Sequence, residues 1–260
     1  MGHLRLGNLP TSKNWRDLMS LIPQPTSTPA QIAAATIEAA KGGLKRAAND
    51  NGVIETFWLL TQIPLAARQE NFSAALQRLG LRVPDTPTAF DVLAAMSEFI
   101  ESKVTAWQRR SDFCDLSIAA AQETLSELCV EETRSLFGAS PEDVRNSFRK
   151  YSTNAQFRRL ARVFFKGFTA RYLKTFLSRE LSNHVGDAGK FESVEKHSEF
   201  NQALDTHCFE TAKIIEEFAG GWFSKTNFER GIDREGVRGF LHIALQKIAE
   251  QLRREGLENA

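Results

Sequence analysis

The sequence predicts an all-α protein, an irregular multi-helix bundle with an N-terminal arm, and three observations support this fold class. Apolar residues recur at spacings of three and four along most of the chain, which is the pattern of helices that bury one side. Alternating apolar and polar residues, which would indicate half-buried strands, are nearly absent. Residues that favour the start of a helix stand directly before several of the apolar segments.

The chain should divide after a proline-rich tether. We expect residues 1–28 to form an arm with this tether, and residues 29–260 to form the helical bundle, whose composition allows a subdivision near 81–88. The arm should contain one short helix from about 12 to 22. Trp15 on this helix either packs against the bundle of its own chain or anchors the arm to another chain, as aromatic residues often do at interfaces.

The first half of the bundle has recognisable helix starts. Thr28, followed by Pro29 and Gln31, forms a capping box with proline at the first helical position. Such signals and the apolar spacing predict helices over 29–40, 52–68, 71–79, 88–107 and 111–128. The last two of these helices should form an antiparallel pair. The first of the pair should contribute a packing seam of Phe90, Leu93, Ser97, Ile100, Val104 and Trp107.

The second half of the bundle begins with the strongest helix start in the sequence, Ser140 followed by proline and two acidic residues. Further helices are predicted over 154–183 and 193–218, and from 233 towards the C-terminus. The glycine pair 220–221 should end the helix before it and leave 222–231 as a loop, and Asp233 should cap the final helix.

The composition limits the classes of function. The chain has 260 residues with 33 basic and 32 acidic side chains, so any charge-driven contact must come from a local patch. Its three cysteines form no CxxC motif, which favours a reducing, cytoplasmic setting. No apolar stretch reaches the ~20 residues needed to cross a bilayer, so we expect no membrane insertion.

Charge is nevertheless strongly segregated along the chain. Residues 144–179 contain 10 basic side chains and no acidic one. On a helical wheel, four of them share the face opposite to a row of phenylalanines, and we expect this face to point to solvent: Arg158, Arg159, Arg162 and Lys166. This basic face could bind DNA or RNA, a partner protein or a lipid surface. Alternatively, acidic residues of the flanking segments neutralise it within the bundle.

The segment Gly220 to Gly231 is the most distinctive one outside the predicted helices. Its glycine pair is followed by Trp222 and Phe223 and by several polar residues. The two aromatic side chains either plug the end of the bundle or, together with Lys225 and Arg230, bind a partner.

Motifs that would indicate catalysis are lacking. The sequence contains no HExxH, Glu-x-x-His, GxSxG or GxGxxG motif and no phosphate-binding loop of the GxxxxGK[ST] type. A cluster of acidic residues, histidines and Cys208 lies over 192–210, but its spacing does not bring these groups together on one helix. We therefore expect no catalytic residue, no metal and no cofactor.

Two segments resemble a known group of proteins. The segments GHLRLGNLPTSKNW, residues 2–15, and GGWFSKTNFERGI, residues 220–232, resemble uncharacterised helical proteins encoded in bacterial multigene phage-defence operons. This resemblance implies a cytoplasmic accessory subunit that acts with nucleases, ATPases or channel-like partners. It assigns no functional residues.

Three hypotheses follow from the sequence. The first is a non-enzymatic accessory or adaptor subunit of a bacterial multiprotein assembly, which binds other protein subunits through the N-terminal arm and the segment around Trp222. The second is a helical module that binds nucleic acid through the basic face. The third is an enzyme of unrecognised class, because all-α folds can assemble chemistry from residues that are distant in sequence.

Overall fold

A computed structural model describes residues 13–22, 24, 26–40, 42–107, 110–130, 140–181 and 194–258. These ranges are predominantly helical and contain no β-strand, which confirms the all-α prediction. The helices are α1 (Lys13–Leu21), α2 (Pro29–Ala39), α3 (Gly43–Ala48), α4 (Asn51–Ala66), α5 (Phe72–Arg78), α6 (Ala89–Trp107), α7 (Asp112–Leu125), α8 (Pro141–Arg149), α9 (Asn154–Leu181), α10 (Val194–Thr211), α11 (Lys213–Glu216), α12 (Ala219–Glu229) and α13 (Arg234–Glu258). A π-helical turn, Ser126–Val130, continues α7, and a 3-10 turn, Lys150–Ser152, follows α8.

The helix starts are formed as their side chains predict. Thr28 accepts a hydrogen bond from the Gln31 amide while the Gln31 side chain accepts one from the Thr28 amide, which is the predicted capping box of α2. Ser140 and Asp143 form the same arrangement at α8. These caps satisfy amides that have no partner within the first turn of a helix.

Helix α9 lies at the centre of the bundle. It packs against α2, α7, α10, α11 and α12, while α13 packs across α2, α3 and α4. Its phenylalanines are buried, and Phe164 and Phe165 both contact the ring of Phe57 on α4. The aromatic residues of α9 therefore form the core of the fold, as their position opposite the basic residues indicates.

Helix α1 packs against α2, and its apolar side is part of the same core. Trp15 is 6% exposed and lies near the ring of Phe176 on α9, with centroids 6.5 Å apart. Leu18 and Ile22 are fully buried. Trp15 thus packs against the bundle of its own chain, which is the first of the two alternatives, and the 6% of its surface that is exposed leaves little with which to anchor another chain. The domain limits at residue 28 and near 81–88 stay predictions.

The segment predicted as a loop over 222–231 is instead largely helical. Helix α12 begins at Ala219 and includes both glycines of the 220–221 pair in its first turn. The predicted helix 193–218 ends earlier, at Thr211, and is followed by the short helix α11. A glycine ends a helix where its backbone adopts the left-handed conformation. Within the segment 220–231, Gly231 has this conformation, with φ of +76°, whereas Gly220 and Gly221 do not.

The predicted seam between α6 and α7 is only partly correct. Phe90 is 65% exposed, whereas Ile100 and Val104 are buried as expected. Helix α7 packs mainly against α4 and α9 rather than α6. One reason is Gly52, whose lack of a side chain lets Cys114 of α7 come close to α4: a Cβ atom there would lie 2.4 Å from the Cys114 Sγ atom.

The break predicted at 184–190 lies outside the described residues, as do Glu192 and the N-terminal residues 1–12. Among the helices of the described ranges, none combines the length and the apolar character that a membrane span requires.

Candidate partner-binding surface

The connection between α12 and α13 is a tight corner. After Glu229, the last residue of α12, Gly231 adopts the left-handed conformation that ends the helix. Asp233 then caps α13, because its carboxylate accepts a hydrogen bond of 2.7 Å from the Gly236 amide. This cap confirms the predicted start of the final helix.

Helix α4 holds this corner in place. The carbonyl oxygen of Ile232 accepts hydrogen bonds from the Trp58 indole, at 3.0 Å, and from the Gln62 amide, at 3.2 Å. The Arg234 guanidinium forms a two-point ion pair with the buried Glu55 carboxylate, with 2.9 Å between Nη2 and Oε2. The same guanidinium lies over the Trp58 ring, 3.8 Å from its centroid. The corner is thus fixed by directional contacts to the core.

The outer side of α12 faces solvent. Gly221, Ser224, Lys225 and Phe228 are all exposed and follow the spacing of one helix face. We call these four residues the α12 face. Phe228 is 91% exposed, the largest exposed fraction among the large apolar side chains in the described ranges. Aromatic residues often dominate the binding energy of protein interfaces, so Phe228 is the candidate contact residue of this face.

The residues that the sequence suggested for partner binding divide between the two sides of α12. Phe223 is 1% exposed and stacks on Phe157, with ring centroids 4.0 Å apart. Trp222 is partly buried and stacks on Phe240 at 4.2 Å. The structure therefore assigns these two aromatic residues to packing and corrects their role as exposed contacts. Lys225 and Arg230 are exposed, as a role in binding requires.

Phe228 was missed because the segment was expected to be a loop. Once 219–229 is taken as a helix, Trp222, Phe223 and Thr226 lie on one side of it, and Phe228 lies on the other. The helical spacing of 219–229 therefore indicates that Phe228 is exposed, but this spacing was not applied because the segment was predicted to be a loop.

The four residues of the basic face of α9 differ in their exposure to solvent. Arg158 and Arg159 are exposed, although the Arg158 Nε atom donates a hydrogen bond of 2.7 Å to the Glu216 carbonyl oxygen. Arg162 is 13% exposed and forms ion pairs with Glu210 and Glu216 at 3.7 and 3.3 Å. The expectation that all four basic side chains point freely to solvent is thus wrong for Arg162, because α10 and α11 cover it.

Acidic residues of α7 and α10 pair with Lys166 and with two further basic residues of α9. Glu123 accepts hydrogen bonds from Lys166, at 3.1 Å, and from Arg171, and Lys174 pairs with Asp205 at 2.7 Å. Partial burial acts to raise the pKa of Glu123, but the two cations outweigh it and lower the pKa. Lys166, Arg171 and Lys174 are therefore ion-paired within the bundle, which agrees in part with the alternative interpretation of the sequence.

The described ranges also contain potential metal ligands and thiols. No group of three or more His, Cys, Asp or Glu side chains there is arranged to hold a metal ion. Cys114, Cys129 and Cys208 are buried and unbridged, and burial raises the pKa of Cys114 and Cys208 to about 12. Such thiols are poor nucleophiles at neutral pH.

Comparison with protein-family models, with curated proteins and with solved structures gave no match to this chain.

Proposed function

We propose that this protein is a non-enzymatic adaptor subunit of a bacterial multiprotein assembly and that it binds a partner subunit through the α12 face. The exposure of Phe228 is the observation that carries this proposal. Removing a phenylalanine side chain of this kind from water is worth about 1.5–3 kcal/mol, which is the contribution of a strong interface residue.

The rigid corner supports a binding role for this surface. Association costs free energy when loops and side chains must become ordered. Here the hydrogen bonds to Ile232 and the Arg234–Glu55 ion pair already hold the corner in place. A partner would therefore meet a surface in its bound geometry.

The side chains around Phe228 favour a partner with an apolar pocket and an acidic rim. Lys225 is exposed on the same face and is only loosely paired with Glu229, at 4.0 Å, and Arg230 is exposed at the end of α12. Charged residues at the rim of an interface act mainly on orientation and association rate. We therefore expect Phe228 to supply most of the affinity, and the two cations to supply specificity.

The resemblance of residues 2–15 and 220–232 to proteins of phage-defence operons supports an assembly of this type. On this proposal the protein is a cytoplasmic accessory subunit, and its partner is a nuclease, an ATPase or a channel-like protein encoded in the same operon. The second resembling segment contains Phe228, Lys225 and Arg230, so the surface we assign to the partner lies within it.

Affinity purification from the native host, with and without nuclease, tests this proposal. We expect stoichiometric partner proteins that survive nuclease, and at least about tenfold less of them with Phe228→Ala. Leu257→Ala is the matched control, since it removes a 78% exposed apolar side chain at the other end of α13. Equal capture by both variants would contradict the role of the α12 face, and absence of any stoichiometric partner would contradict an adaptor.

The nucleic-acid hypothesis has its own test in the same preparation. Arg158→Glu with Arg159→Glu reverses the exposed part of the basic face and leaves the ion-paired Arg162 and Lys166 intact. If the protein binds DNA or RNA through this face, the co-purifying nucleic acid and its salt-sensitive binding should be lost in this variant. Turnover of a substrate by the isolated protein would instead favour an enzyme.

A further inference from the structure

A cavity of about 420 Å³ lies where α2, α3, α9 and α13 meet. Small-molecule sites typically have volumes of about 300–1,000 Å³, so this cavity is large enough for a ligand. Its floor is apolar and is formed mainly by Ile37, Leu44, Leu245 and Ala249. The cavity is distinct from the α12 face, none of whose residues line it.

The rim of the cavity carries polar and charged side chains. Lys45, His242, Gln246 and Arg253 surround the opening. Three of them have partners: His242 with Asn49 at 3.0 Å, Gln246 with Glu250 at 2.9 Å, and Arg253 with Glu38. The Lys45 ammonium, by contrast, forms no ion pair with any residue that the structure describes.

A glycine gives the wall of the cavity its shape. The Tyr172 hydroxyl occupies the space where a side chain at position 43 would lie, since a Cβ atom on Gly43 would be only 1.9 Å from it. This hydroxyl donates a long hydrogen bond of 3.3 Å to the Ala40 carbonyl oxygen. A phenol at the inner wall therefore adds one polar group to an otherwise apolar interior.

We propose that this cavity binds a small organic anion, with its apolar body against Leu44, Leu245 and Ala249 and its anionic group beside Lys45. Charge complementarity supports this choice of ligand, because the unpaired cation stands at the opening and none of the acidic residues that the structure describes lines the cavity. The Tyr172 hydroxyl would orient a polar substituent of the ligand inside the cavity.

Two fluorescent probes that differ only in charge test this proposal. 8-Anilinonaphthalene-1-sulfonate is the anion, and N-phenyl-1-naphthylamine is the same ring system without the sulfonate. We expect saturable binding of both, at one site per chain. Lys45→Glu should weaken the sulfonate about fivefold and leave the neutral probe unchanged, because an exposed charge pair contributes modestly. Lys213→Glu, which reverses an exposed lysine on α11, is the matched control and should change neither.

A second variant tests the cavity itself. Ala249→Leu places three additional carbon atoms in its floor and should weaken both probes about tenfold. Lys45→Glu alters only an exposed side chain, so its result is independent of whether Ala249→Leu folds. Equal effects of Lys45→Glu on the two probes would overturn the anion site. Absence of saturable binding, or unchanged binding of both probes by folded Ala249→Leu, would overturn the cavity as a ligand site.

Discussion

Gly220 of α12 lies directly against Asn154, the first residue of α9. A Cβ atom at position 220 would be 2.3 Å from the Asn154 Oδ1 atom and 2.6 Å from the Asn154 carbonyl oxygen. Non-bonded atoms cannot approach so closely, so only glycine lets the starts of these two helices meet. The contact also brings Phe223 onto Phe157 in the core.

The neighbouring glycine provides a direct comparison. Gly220→Ala should destabilise the protein by about 1–3 kcal/mol, because α12 must move away from α9. Gly221→Ala should stabilise it by about 0.5–1 kcal/mol, since a Cβ atom there meets nothing within 4 Å and alanine favours the helix. Urea unfolding of both variants measures these changes. Equal effects of the two substitutions would contradict the close contact at position 220.

The ion pair between Glu55 and Arg234 should contribute to stability at the α12–α13 corner. Arg234→Ala leaves the Glu55 carboxylate, which is 5% exposed, without its partner. Breaking a fully buried pair costs about 3–5 kcal/mol, and we expect about 2 kcal/mol because Arg234 itself is 43% exposed.

A second arginine of α13 is the control for this prediction. Arg238 pairs with Glu235 on the surface at 3.0 Å, so Arg238→Ala should cost less than about 0.5 kcal/mol. Chemical denaturation compares the two variants. If Arg234→Ala were as mild as Arg238→Ala, the ion pair would not hold the corner.

His207 should make stability depend on pH. Burial lowers its pKa below the ordinary value of 6.5, and the opposing effect of Glu255, 3.3 Å away, is smaller. Below pH 6.5 the unfolded chain therefore binds the proton more readily than the folded one, and the free energy of unfolding should fall as the pH decreases from 7 to 5. Urea unfolding across this range should show a smaller decrease for His207→Gln. Identical pH dependence of the two proteins would argue against this assignment.

The cysteines should resist modification in the folded protein. All three are buried, and burial raises the pKa of Cys114 and Cys208 to about 12, so almost no thiolate exists at pH 8. Iodoacetamide should leave the native protein unlabelled and add three groups after unfolding in urea, as measured by mass spectrometry. Rapid labelling of any thiol in the native state would show that its surroundings open readily.

Local signals predicted the local structure well. The capping box at Thr28, the helix start at Ser140 and the cap at Asp233 depend on side chains within three residues of one another, and all three are formed. The burial of the α9 phenylalanines also followed from their helical spacing. These features need no knowledge of how the helices pack.

Features that depend on packing could not be predicted in the same way. Nothing local to the glycine pair 220–221 reveals that Asn154 requires a glycine at one position while the other is free. The division of the basic face likewise depends on which acidic helices cover it, and the exposure of Phe228 depends on the helix that replaced the expected loop. For the glycine pair and for the basic face, the deciding contact joins residues that are far apart in sequence.

The ion pairs between α9 and its neighbours affect how fragments of this protein would behave. Residues 144–179 carry 10 basic side chains and no acidic one, and the acidic partners of Arg162, Lys166 and Lys174 lie on either side in the sequence. A peptide or truncated chain that kept this segment and lost its flanks would be a polycation, and it would bind any polyanion. Nucleic-acid binding by such a fragment would thus be a result of the truncation. Binding of nucleic acid by the protein itself must be measured with the full chain.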